Sequence, residues 1–163
     1  MQFPEELRLL TKSRLLASIG AGAVLYLTPI VFNSLSLSAT QIGSGIAFAA
    51  ISGTITRLIT GYCLDKSVFF TKLLKISAIL AITADFILIN SNGYLEFIIG
   101  ELLLGAAAGI YWPSIEIAVP LTCKDYKSSK GFALTRSADA LGVCLGTIPV
   151  SYTHLTLPTI CSV

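Results

Sequence analysis

Charge is what this chain has least of. Asp, Glu, Lys and Arg make up only 12% of its 163 residues, 54% are hydrophobic, and the mean hydropathy is +0.80. A soluble domain of this size keeps roughly 25% charged residues to cover its surface, so little of this chain faces water and a lipid bilayer is its expected surroundings. Histidine is scarcer still. The single copy, His154, lies near the C-terminus, so the apolar body holds neither a His-Glu-x-x-His zinc helix nor a serine–histidine pair. The four cysteines, Cys63, Cys123, Cys144 and Cys161, show no CxxC or CxxH spacing, which leaves no zinc or disulfide framework. Neither an enzyme nor a metal site, cofactor or nucleic-acid partner is expected.

What is present is a series of long apolar runs. A hydrophobic stretch of about 18 residues or more reads as a membrane-spanning helix. Five follow one another, over roughly Leu15–Asn33, Ala39–Cys63, Leu73–Asn90, Leu95–Val119 and Gly131–Ile148. The first has no small-x-small cleavage site behind it and reads as an uncleaved span rather than a signal peptide. Ser38-Ala39-Thr40-Gln41 has the form of a capping box at the start of the second run. Pro113, beside Tyr111 and Trp112, is expected to kink the fourth. Short connections suit antiparallel neighbours in an all-α, multi-pass bundle. Small residues recur every fourth position: Gly45, Ala49 and Gly53; Gly105 and Gly109; Ala138, Gly142 and Gly146. Such ridges let backbones approach closely in lipid, and packing is the role they are given.

The bases are not scattered. Of 11 Lys and Arg, nine fall in three segments: Arg8, Lys12 and Arg14; Lys66, Lys72 and Lys75; Lys124, Lys127 and Lys130. The intervening gaps, 33–41 and 91–94, carry no charge. By the positive-inside rule the basic segments, and with them a cytoplasmic N-terminal segment 1–14, lie inside an integral, multi-pass cell-membrane protein. Cys63 and Cys123 are then cytoplasmic and reduced.

Between the second and third runs stands Gly61-Tyr62-Cys63-Leu64-Asp65-Lys66. This resembles the helix 2–3 loop signature of the major facilitator superfamily, Gly-x-x-x-Asp-Arg/Lys-x-Gly-Arg-Arg/Lys. Gly61, Asp65 and Lys66 match; Val68, Phe69 and Phe70 depart from it, with Lys72 and Lys75 supplying charge slightly later. Leu37–Gly43, the spacing Arg57…Gly61…Asp65, and Gly105–Gly109 followed by Tyr111-Trp112-Pro113 resemble the N-terminal half of the same superfamily. The resemblance covers roughly residues 10–148. It implies that residues 15–148 are helices 1–5 of a twelve-helix fold built from two six-helix halves. It further implies transport of a small-molecule solute by alternating access, together with a C-terminal half that this chain lacks. One departure is Glu101, which stands where members often carry an arginine, four residues before the first helix 4 glycine. A short membrane scaffold or interaction protein using its glycine ridges is the other reading.

Charged groups fall within the runs at Arg57, Asp85, Glu101, Glu116, Arg136 and Asp139. Each costs about 2.5–3.5 kcal/mol near mid-membrane and so tends to face protein or a water-filled cavity. Rise per residue sorts them by depth. Arg57, Asp65, Glu116, Arg136 and Asp139 form an inner layer of nearly balanced charge, read either as a salt-bridge web or as a cytoplasmic gate. Asp85 and Glu101 form an outer layer, read either as a proton-coupling or cation site or as two unrelated carboxylates. Helix 3 is usually peripheral in the superfamily and helix 4 lines the cavity, so the resemblance favours Glu101. On the first helix, Tyr26, Thr28, Pro29 and Asn33 place polar handles and a kink where transporters bind substrate. After Ile148 the helical apolar period is lost. Residues 149–163 resemble the translation of sequencing-adapter DNA joined to a truncated read, so a non-native tail is expected there and His154 is given no role.

Overall fold

The structure, a computed structural model, describes residues 4–65, 70–123 and 127–160, with residues 150–160 as backbone course alone. The loop positions Lys66, Val68, Phe69 and Lys124 lie outside the described residues. The described chain is all-helical, in the order α1 (Glu5–Ser34), α2 (Ala39–Asp65), α3 (Phe70–Ile89), α4 (Tyr94–Thr122) and α5 (Ser128–Ile160). Among the described residues α1, α2 and α4, of 30, 27 and 29 residues, are long and apolar enough to cross a membrane. The shorter α3 carries Lys72, Lys75 and Asp85 within its 20 residues.

Two boundaries differ from expectation. α1 starts ten residues early, at Glu5 rather than Leu15, so Arg8, Lys12 and Arg14, expected in an N-terminal segment before the first helix, are part of it. Nothing between Pro4 and Leu15 breaks a helix, and Glu5 and Glu6 in the first turn complement its dipole. α5 starts at Ser128 and runs past Ile148 to Ile160. Extending a nucleated helix adds one hydrogen bond per residue fixed, so it needs no apolar period.

The turns explain where the helices stop. At the end of α1, Leu37 N–H donates to the Phe32 carbonyl and Ser36 N–H to that of Asn33, each at 3.1 Å. That is the pair of bonds of a Schellman motif, with Ser36 in the left-handed position at φ 67°. Phe32 and Leu37 also share one apolar cluster, the contact that usually accompanies the motif. The capping box then opens α2: Ser38 N–H donates to Gln41 Oε1 at 2.9 Å, and Gln41 N–H to Ser38 Oγ at 3.3 Å. Glu96, in the first turn of α4, accepts from Asn92 N–H at 2.6 Å.

The chain divides into two compact units. The unit of residues 32–117 contains α2, α3 and most of α4. Here α2 and α4 run parallel through the small-residue ridges. Gly45 faces Phe97, Gly105 faces the Ala49 carbonyl, and Gly109 faces Gly53 and Thr56, too closely for any side chain on these glycines. Ser52 Oγ bridges the same seam to the Leu102 carbonyl at 2.7 Å. Phe32, Leu37, Ile42 and Phe97 form the apolar cluster at one end, with Leu88 and Tyr94 against it. The α1–α2 and α3–α4 turns, which carry no base, thus lie together.

The other unit, residues 1–31 and 118–163, contains α1, the end of α4 and α5. α1 and α5 also run parallel. Gly142 meets Leu15 and Ser18, Gly146 meets Ile19 and Ala23, and Gly22 meets the Val143 backbone. Leu7, Val119 and Cys123 close the loop-proximal end, packed by Phe132 and Leu134. The bases Arg8, Lys127 and Lys130 belong to this end.

A non-glycine residue held left-handed carries a cost of about 1 kcal/mol. Ser36→Gly is therefore expected to raise unfolding stability in mixed micelles by about 1 kcal/mol, and the β-branched Ser36→Val to lower it by at least as much. Equal stability of the three proteins would show that the turn does not constrain this residue.

Candidate functional site

The most deeply buried charge in the described chain is one that the sequence assigns to the cytoplasmic N-terminal segment 1–14. Arg14 is 1% exposed, on the α1 stripe that also buries Leu7, Ser18 and Gly22. These positions are spaced by about two turns and then by one turn each, so they share one helix face. That face meets α5, and Asp139 is the acceptor at the contact. Arg14 Nη2 donates to Asp139 Oδ2 at 3.1 Å and Ser18 Oγ to Oδ1 at 2.5 Å. Arg136, one turn earlier on α5 and largely exposed, brings Nη1 to 3.8 Å of the same Oδ2. One carboxylate thus serves two guanidiniums and a hydroxyl. A buried guanidinium is strongly destabilising when unpaired, so Asp139 is what allows Arg14 to sit inside the seam.

The signal for Arg14 was present in the sequence. Arg14, Ser18 and Gly22 form a polar-to-small ridge at fourfold spacing, the pattern read as packing elsewhere. Its adjacency to the basic N-terminal segment hid it. Of the expected inner layer, Arg136 and Asp139 are brought together. Glu116 is half-buried and engaged in an interaction. Arg57 and Asp65 depart from the expected web: both are exposed, and neither has an ion-pair partner among the described residues. Both belong to α2, in the unit of residues 32–117, whereas Arg136 and Asp139 belong to the other unit. Gly61 has open space where a side chain would be, and Asp65 is the last residue of α2.

The outer layer falls on α3 and α4. Glu101 is 5% exposed. It falls between Phe97 and Gly105 on the α4 ridge whose members above and below pack on α2. Asp85 follows Ala84, the fully buried α3 residue whose carbonyl lies beside Gly100 of α4. Among the described residues no hydrogen bond joins the two, and none reaches either carboxylate. On α1, Thr28 donates back to the Val24 carbonyl at 2.8 Å. Tyr26 and Asn33 are exposed, and their side chains have no hydrogen-bond partner among the described residues. No group of three His, Cys, Asp or Glu side chains able to hold a metal occurs among the described residues.

No protein-family model, curated protein or solved structure matches this chain.

The charge node has a measurable energetic signature. Arg14→Leu or Asp139→Leu alone is expected to cost about 3 kcal/mol, the lower end for a buried pair because Asp139 is partly exposed. The double substitution is expected to recover most of that loss, since no buried charge is stranded. Reversible unfolding in mixed micelles measures all three, and additive losses in the double variant would refute the pairing.

Proposed function

We propose that this chain is the front part of the N-terminal half of a secondary active transporter, which moves a small solute across a cell membrane by alternating access. The observation that carries the reading is the loop signature at a helix junction. Gly61 and Asp65 close α2 one turn apart, and Lys66, next in the sequence, lies outside the described residues. A small-faced, parallel α2–α4 pair and a charge node between α1 and α5 suit helices that must slide or tilt without exposing polar backbone to lipid. In this reading the N-terminus is cytoplasmic, the lipid bilayer and the solute are the partners, and a C-terminal half completes the central path. Glu101 is the intramembrane carboxylate best placed for a proton or substrate, because it is buried on a helix the superfamily turns toward its cavity.

Orientation and continuity are separately testable. In intact cells a membrane-impermeant thiol reagent should miss Cys63 and a cysteine placed at Lys75, and should label one placed at Asn92. Labelling of Cys63 from outside would overturn the orientation. Re-reading the source DNA across codons 140–163 should show coding sequence running on into further helices and a second Gly-x-x-x-Asp-Arg/Lys loop. Independent reads that end at the same codon, from a chain that inserts stably by itself, would favour the scaffold reading instead.

A further inference from the structure

We propose that the Arg14–Asp139–Ser18 node is a latch holding the loop-proximal ends of α1 and α5 shut over Cys123, with the glycine contacts beyond it serving as the hinge. Packing changes character at the node. At the node and beyond it the two backbones touch: Gly142 against Leu15 and Ile19, Gly22 against Val143, Gly146 against Ile19 and Ala23. Those contacts leave no side chain to rearrange and fix the pivot. On its near side, side chains pack between the helices, in the cluster of Leu7, Val119 and Cys123 with Phe132 and Leu134. Cys123 is 3% exposed there, its sulfur tucked beside Gly131.

What makes the node a two-state element is competition for one oxygen. Asp139 Oδ2 is bonded across the seam by Arg14 at 3.1 Å and approached within its own helix by Arg136 at 3.8 Å. When α1 swings out, Arg136 takes over the carboxylate and Arg14 moves toward the basic, loop-proximal surface. Asp139 is then never stranded, which a single cross-helix pair could not achieve. Because Ser18 and Arg14 are one turn apart on α1, the closed state also fixes the axial register of the two helices. This inference does not rest on the transport reading, since it concerns one pair of helices.

The test uses the full chain in lipid nanodiscs with Cys63→Ser, Cys144→Ser and Cys161→Ser, so that Cys123 is the only thiol. Its alkylation rate by N-ethylmaleimide reports opening. Arg14→Gln should raise that rate about a hundredfold, the effect of removing one partner of a buried pair. Arg136→Gln should lower it roughly two- to fivefold, because the open state loses its substitute partner. A purely structural salt bridge predicts no slowing in Arg136→Gln. Should Arg14→Gln fail to fold, Ser18→Ala should raise the rate about tenfold at unchanged helix content. An unchanged rate in Arg14→Gln or in Ser18→Ala overturns the latch, as does an unchanged or raised rate in Arg136→Gln.

Discussion

An apolar helix gains little by leaving lipid for another apolar helix, so contact between such helices must come from close approach and satisfied polar groups. That constraint organises both units. α2 meets α4 at Gly45, Gly53, Gly105 and Gly109, and α5 meets α1 at Gly142 and Gly146, in each case backbone against backbone or ring. Dispersion falls off steeply with a gap of even half an ångström. Removing Cβ at these positions is therefore what turns two spans into a pair. In both pairs, which run parallel, the small residues of one helix meet the partner in the same order along the two chain segments.

Polar groups follow from the same constraint. Hydroxyls along α1, α2 and α4 mostly donate to the carbonyl three or four residues earlier: Thr11 to Leu7, Thr28 to Val24, Thr60 to Thr56, Ser114 to Ile110. These bonds satisfy the hydroxyl without help from a neighbour and leave the helix free to shift. Ser52 and Ser18 differ, because they bond across a seam. Cross-seam bonds set register where the glycines alone would permit sliding. Arg14–Asp139 is the strongest such bond, because both groups are charged and one is fully enclosed.

Much of this was legible in the residues. The helix count, the small-residue ridges, the capping box of Ser38 and Gln41, and the apolar character of the spans all come from periodicity and local chemistry. What was not legible has a common cause. Rise per residue gives depth, and depth sorted Arg57, Arg136 and Asp139 into one layer. Azimuth depends on which neighbour a helix finds, and a single sequence does not state that. Arg57 is left exposed on α2, whereas Arg14 lies on the α1 face that meets α5. The start of α1 was missed for a related reason. A change from charged to apolar residues marks where lipid begins, while the helix itself needs only the absence of a breaker between Pro4 and Leu15. Ser36 belongs with these misses. A polar turn was evident, but a serine in the left-handed position is chosen by the Phe32–Leu37 contact, not by its own preference.

The two buried acids show how far burial can be taken as a sign of function. Asp139 is partly exposed yet fully partnered, so its presence is explained by Arg14 and Ser18 alone. Glu101 is more deeply buried and has no partner among the described residues. In lipid an unpartnered ionised carboxylate is expensive, and a cheaper apolar residue of similar size would fill the α2–α4 ridge as well. Packing accounts for Asp139 but not for Glu101. The same physics that makes one acid a structural contact therefore leaves the other without a structural reason to be there, and that is why the functional reading attaches to Glu101.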